Sequence, residues 1–188
     1  MIDAYYNWNS KFNKTQIKDI NKYIENNYDE LENKEMSAHS DGKSLKNVDS
    51  TKLIRWKKVK HLFNEVYGFA DYVLTHQYGF LTYPYPDDKF VNLNTYTSNN
   101  KNNYNWHLDQ SKAIDNFDIK GTLLINLSES KYKGGNLKLF HQGELIVDSF
   151  SEPGSMVLIH GFMNHEVTPV TKGIRKTFSM FIGGPRWR

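Results

Sequence analysis

At 188 residues the chain suits one domain, long enough to bury a real core, and the absence of cysteine excludes disulfides and thiolate metal sites. Histidine and carboxylate are left as its strong ligands. A formal charge of +3 with scattered lysines argues against a nucleic-acid partner, and the lack of a long apolar run or a signal-like N-terminus argues for a soluble, cytoplasmic protein without a membrane partner.

The front of the chain reads as helical. Ile17, Ile20, Tyr23, Ile24 and Tyr28 recur near helical spacing and predict an amphipathic helix over 14–29, with Asn13 as its cap. Residues 34–51 are polar and aperiodic and read as a loop. A second helix fits 56–76, where Val59, Leu62, Phe63, Val66, Ala70, Val73 and Leu74 form one apolar stripe. The run Tyr83-Pro84-Tyr85-Pro86-Asp87-Asp88 marks a turn. After it the pattern changes to short strands, over 91–97, 105–109, 119–127, 136–141, 144–148, 155–160, 165–170 and 175–183. Gly134-Gly135, Gln142-Gly143, Pro153-Gly154 and Lys172-Gly173 punctuate them. About eight short strands with tight turns predict a barrel or jelly roll, one sheet of which the two helices could cover.

The chemistry concentrates in this second part. His107 and Asp109 are separated by one residue, His165 follows in a later strand, and Arg175 stands ten residues beyond it. In a strand, side chains alternate, so His107 and Asp109 should share a face and Leu108 should point away. Two imidazoles and one carboxylate form the facial triad that holds non-heme Fe(II) and leaves other coordination positions open. A fixed cation nearby suits a carboxylate-bearing co-substrate.

Each of these residues also has an ordinary role to be weighed. A lone His-x-Asp is usually a surface pair or a hydrogen-bonded core histidine; the second histidine and the cation change its meaning. His160 competes with His165 as third ligand. His165 is preferred because it opens a strand, whereas His160 ends the previous one, where a hydrogen-bonded histidine is usual. His61, His76 and His141 lack a partner pattern and are expected to be structural or exposed. Arg175, Thr177, Ser179 and Phe181 alternate with Lys176, Phe178, Met180 and Ile182. The second set is mostly apolar and could lie under the helices. The first is polar enough to face a lumen holding an anion, the ordinary alternative for Arg175 being a surface ion pair. Tyr96 shares a face with Asn94 and Asn92, and its hydroxyl could donate to the same anion.

Taken together, Tyr96, Tyr104, Trp106-His107-Leu108-Asp109, Gly134-Gly135-Asn136-Leu137, Pro153-Gly154-Ser155-Met156-Val157-Leu158 and the run His165-Glu166-Val167-Thr168-Pro169-Val170-Thr171-Lys172-Gly173-Ile174-Arg175 resemble the 2-oxoglutarate/Fe(II) dioxygenase superfamily. Within it the likeness is to the prolyl 4-hydroxylase-like group. It covers about residues 90–184, and the His-Glu-Val-Thr-Pro-Val run is its most specific element.

The resemblance implies an α+β, mainly β fold: a double-stranded β-helix (jelly-roll) core over 90–184, buttressed by N-terminal helices within 1–82. The whole of 1–188 would be a single dioxygenase domain. It implies Fe(II) held by His107, Asp109 and His165, with Arg175 pairing the distal carboxylate of 2-oxoglutarate. Tyr96, Tyr104 and Thr177 would be further co-substrate contacts, and Leu123 or Leu124 stands where members often carry another polar one. O2 would be the second co-substrate, with succinate and CO2 released.

A peptidyl proline is the substrate expected for the group, with 34–51 or the Tyr83–Asp88 turn as a lid over an extended peptide. The alternatives are a free amino acid or other small metabolite, or a non-catalytic sensor that binds metal and 2-oxoglutarate. Nucleobase demethylation is disfavoured, because the related repair enzymes carry a second arginine where Phe181 stands. A zinc hydrolase with the same three ligands would need no Arg175, and no spare carboxylate stands out as its general base.

Overall fold

In the computed structural model, which describes residues 3–29, 39–40, 43–110 and 117–187, two helices cover the back of one of two facing β-sheets. In chain order the first part comprises β1 (Tyr5–Trp8), α1 (Lys14–Asn27), β2 (His39–Ser40), β3 (Lys43–Ser44), β4 (Lys46–Asn47), β5 (Ser50–Arg55), α2 (Trp56–Tyr72) and a π-helical turn (Val73–Gln77). The second part comprises β6 (Phe90–Thr97), β7 (Asn103–His107), β8 (Phe117–Asn126), β9 (Lys133–Gly134), β10 (Leu137–Phe140) and β11 (Glu144–Ile146). It continues through a 3-10 turn (Asp148–Ser151), β12 (Met156–His160), β13 (His165–Val167), β14 (Val170–Lys172) and β15 (Ile174–Pro185).

Helix α1 begins where the sequence supplies a cap. Asn13 Oδ1 accepts from the amides of Thr15 and Gln16, and Gln16 Oε1 accepts in return from the Asn13 amide. Ile17, Ile20 and Ile24 form its buried stripe. Helix α2 buries Val59, Phe63, Val66 and Ala70 at helical spacing, and the Phe63 ring stacks on Phe178 of β15 with centroids 4.2 Å apart. That contact fixes the helix to the back of the strand that carries Arg175. The expected helix to residue 76 changes character after Tyr72. The Tyr78 amide bonds to the Val73 carbonyl, a wider turn that buries both Val73 and Leu74.

The larger sheet has the order β1-β12-β8-β15-β6-β5 and the smaller β11-β10-β13-β7-β4, all neighbours antiparallel. This is a jelly-roll core. Period-two alternation sorts the larger sheet into two buried faces of opposite character. Val91, Leu93, Leu123, Ile125, Met156, Leu158, Phe178, Met180 and Ile182 pack in one apolar cluster with the helices. Asn92, Asn94, Tyr96, Thr122, Leu124, Arg175, Thr177, Ser179 and Phe181 line the lumen between the sheets.

Several boundaries differ from the sequence reading. Strand β1 was not expected; four residues of Tyr-Tyr-Asn-Trp are too short to show a period, yet they pair with β12. Part of the polar stretch 34–51 forms β4 and β5, paired with β7 and β6, because edge strands are held by backbone bonds and require no apolar alternation. Within the same predicted lid 39–40 and 43–44 pair as β2 and β3, and residues 34–38 and 41–42 lie outside the described residues. The expected strand over 165–170 is split into β13 and β14: Pro169 lacks a donor, and the Thr168 amide bonds instead to the Asn136 carbonyl. The strand expected over 144–148 stops at Ile146 and gives way to the 3-10 turn. Among the described residues, no helix is long and apolar enough to cross a membrane.

Candidate metal centre

His107 and His165 stand directly opposite one another as paired residues of the antiparallel β7 and β13. Register alone therefore puts two imidazoles side by side, with ring centroids 4.1 Å apart. Each ring is oriented the same way. Nδ1 of His107 donates to the Asn105 carbonyl at 2.7 Å, and Nδ1 of His165 donates to the Met163 carbonyl at 2.8 Å. Since a carbonyl only accepts, both Nδ1 atoms carry the proton and both Nε2 atoms present a lone pair.

Asp109 completes the group, but not by the strand alternation expected from the sequence. Strand β7 ends at His107, and Asp109 lies in the bend beyond it. The next residue anchors that bend: the Gln110 amide bonds to the Gly161 carbonyl, and its side chain bonds to Asp118 and to the Ile119 amide. Leu108 is left exposed. The carboxylate then faces both rings, Oδ1 at 3.6 Å from Nε2 of His107 and Oδ2 at 3.6 Å from Nε2 of His165. The three potential ligand atoms all lie within 4.8 Å of one another. Thr122 Oγ1 donates to Asp109 Oδ2 at 2.6 Å. Burial above all, reinforced by the neighbouring His165, pushes His107 down to about 4, so the imidazole stays neutral and able to ligate.

A bulge brings in Tyr104. Between the His165–His107 and Val167–Tyr104 pairs, β7 holds one more residue than β13. Strict alternation would place Tyr104 and His107 on opposite faces. The extra residue turns both inward, where their rings stack at 3.5 Å.

Deeper in the lumen Arg175 is paired in register with Tyr96. It is 1% exposed, and among the described residues neither its Nε nor its two Nη atoms have a hydrogen-bond partner; Thr177 Oγ1 is equally unpartnered there. The guanidinium instead lies over the rings of Tyr96, at 5.0 Å, and Phe150, at 5.6 Å. Burial pushes the Tyr96 phenol up and the adjacent Arg175 opposes this, so the hydroxyl keeps its proton as a donor. Close backbone approach makes room for the arginine. A Cβ on Gly135, whose φ is +61°, would stand 2.9 Å from Arg175 Cδ. A buried cluster of donors with no acceptor suits an anion, and the site as a whole fits a metal ion beside a carboxylate-bearing molecule.

All seven residues singled out in the sequence, His107, Asp109, His165, Arg175, Tyr96, Tyr104 and Thr177, line this one pocket. Leu124 faces it as well, while Leu123 points to the helices. His160 closes β12 against Tyr78, outside the donor group. His61 packs on Tyr23, His76 stacks on Tyr72, and His141 is exposed. Two polar lining residues, Thr122 and Lys46, escaped the sequence reading. Thr122 was detectable as the polar residue alternating with Leu124 on a recognised strand. Lys46 lay in a stretch read as loop; its Nζ donates to Asn94 Oδ1 at 2.6 Å and to Thr51 Oγ1 at 3.0 Å.

Residues 91–183 match the model of the 2OG-Fe(II) oxygenase superfamily. No curated protein sequence matches the chain. Among solved structures, it is similar to a prolyl hydroxylase from Trichoplax adhaerens, in complex with a hypoxia inducible factor oxygen degradation domain peptide fragment. The identity is 13%, covering 95% of this chain and 83% of that one, with a TM-score of 0.67. A Pseudomonas putida prolyl-4-hydroxylase is 14% identical over 98% of this chain and 93% of its own, with a TM-score of 0.63. The viral collagen prolyl hydroxylase of Paramecium Bursaria Chlorella virus-1, in its 2OG complex, is 13% identical over 97% of both chains, with a TM-score of 0.63.

Proposed function

The chain belongs to the 2OG-Fe(II) oxygenase superfamily through residues 91–183, and from that premise we propose that it hydroxylates a prolyl residue within a peptide. The observation that carries the oxygenase reading is the juxtaposition, in one pocket, of three metal-ligand side chains and a buried arginine with no hydrogen-bond partner among the described residues. Support for a prolyl peptide comes from the neighbours, one of which is a prolyl hydroxylase with a peptide fragment.

In this reading His107 and His165 offer Nε2, and Asp109 a carboxylate oxygen, to Fe(II). The Asn105 and Met163 carbonyls keep both imidazoles in the ligating tautomer. Arg175, Tyr96 and Thr177 donate to the distal carboxylate of 2-oxoglutarate, which gives the buried guanidinium the acceptor it lacks. Fe(II), 2-oxoglutarate and O2 together supply an oxidation that hydroxylates a C–H bond and releases succinate and CO2. Leu124, Leu137 and Val167 keep the lumen apolar beside the donors, which limits water and holds the reactants in place. Tyr104 and Phe181 provide the aromatic walls against which a pyrrolidine ring can pack.

A second reading, a small carboxylate-bearing substrate such as a free amino acid, is favoured by the Lys46 ammonium in the pocket wall. The test is in two stages. Anaerobic addition of Fe(II) and 2-oxoglutarate should produce the weak visible absorption of the chelate. Succinate release should then rise with proline-containing peptides, together with one added oxygen on the peptide by mass spectrometry. Stimulation by free proline and not by peptides would replace the first reading with the second. No stimulation by either would remove both.

A further inference from the structure

Asp109 presents its two oxygens to two different neighbours. Oδ2 accepts the Thr122 hydroxyl proton at 2.6 Å, the short distance of a charge-assisted O–H···O bond. Oδ1 has no hydroxyl partner among the described residues, and each oxygen stands 3.6 Å from an imidazole Nε2, Oδ1 from that of His107 and Oδ2 from that of His165. Thr122 is 1% exposed, in the middle of β8, with Ile159 and Phe181 as its cross-strand partners. Its branched side chain, wedged in a central strand, has little rotamer freedom. The hydroxyl is therefore a fixed donor on a rigid strand, whereas Asp109 sits in a bend outside any strand.

From this geometry we infer that Thr122 is a positioning residue whose hydroxyl fixes the direction of the Asp109 carboxylate, so that it faces both imidazoles. The inference rests on the proposed metal site. The hydroxyl thus holds the carboxylate of a residue outside any strand in one direction, the role such outer partners play at metal sites.

The test uses Thr122→Val, nearly isosteric but without the hydroxyl, Thr122→Ala, and Thr122→Ser, which retains it. Fe(II) affinity is measured anaerobically by competition with a chromophoric chelator, and the visible absorption of Fe(II) with 2-oxoglutarate is recorded for each variant. The expected result is a loss of about 10- to 100-fold in Fe(II) affinity and a shifted absorption in Thr122→Val and Thr122→Ala. Thr122→Ser should stay within about threefold of wild type. Wild-type affinity and absorption in a folded Val or Ala variant would overturn the inference. So would a Ser variant impaired by 10-fold or more, since the methyl and not the hydroxyl would then matter, and this arm stands even if Val and Ala do not fold. Failure of the wild-type protein itself to bind Fe(II) and 2-oxoglutarate would instead sink the site reading, whatever Thr122 does.

Discussion

Replacing Arg175 by Met should stabilise the protein without 2-oxoglutarate and abolish its stabilisation by 2-oxoglutarate. The guanidinium is buried with three nitrogens that have no hydrogen-bond partner among the described residues, and its compensation comes from two rings at 5.0 and 5.6 Å. Desolvated cation–π contacts contribute about 2 kcal/mol, against an effective desolvation penalty of several kcal/mol per buried ion. Methionine keeps most of the stem and fills the space beside Gly135 and Val170 without the charge. Replacing even paired buried charges by hydrophobic residues of similar volume is neutral or stabilising by about 1–4 kcal/mol, and the stabilising range is expected here. For a chain of this length that is roughly 2–16 °C in Tm. Adding 2-oxoglutarate at about 100 times its Kd should contribute roughly 2.7 kcal/mol to the wild type, or about 5–11 °C, and nothing to the variant. Anaerobic calorimetry with Fe(II), with and without 2-oxoglutarate, reads both effects. A variant that melts below the wild type without 2-oxoglutarate, or that keeps the full upward shift with it, refutes the reasoning. Loss of Fe(II) binding in the same variant would show that Arg175 serves the metal and not the anion.

Three further outcomes are expected. His165→Ala should lose Fe(II) affinity by more than about 100-fold while His160→Ala keeps it, as equilibrium dialysis would show; the reverse would reassign the third ligand. Gly135→Ala should cost about 1–2 kcal/mol from its left-handed φ of +61°. It should also raise the 2-oxoglutarate Kd, because the new methyl meets Arg175 Cδ; melting and the ligand-induced shift report both, and wild-type values in each would count against the packing described. Lys46 is pushed down to about 8 by burial, with Asp109 opposing. Its folded value lies below the unfolded value of about 10.4, so between about pH 8 and pH 10.4 the unfolded chain holds more protons and the stability contribution of Lys46 rises with pH. Below pH 8 both states are protonated and the contribution is flat. Urea melts at pH 7 and pH 9 should show the wild type gaining on Lys46→Met as pH rises, and a constant difference would contradict the burial of the ammonium.

Local pattern was enough for much of this molecule. Asn13 with Gln16 marks the start of α1 by capping chemistry alone, and the stripe from Val59 to Leu74 is helical by spacing. Alternation on β15 separates Arg175, Thr177, Ser179 and Phe181 from Phe178, Met180 and Ile182 before any partner strand is known, because side-chain period is a property of one strand. The His-x-Asp, His and Arg spacing, with the runs around them, likewise marks the superfamily.

What stays invisible along the chain is whatever depends on a second strand. The facing of His107 and His165 is a matter of register between β7 and β13, which no single-strand period reveals. The bulge that turns Tyr104 inward breaks the period locally. Asp109 owes its direction to Gln110 bonding Gly161, Asp118 and Ile119, residues distant in sequence. β1, β4 and β5 form on backbone hydrogen bonds to neighbours and carry little apolar signal of their own. Residue identity and spacing thus determined which face of β6, β8 and β15 turns to the lumen. Register between β7 and β13, the bulge in β7 and the bend held by Gln110 decided which groups meet there, since such contacts depend on more than one segment at once.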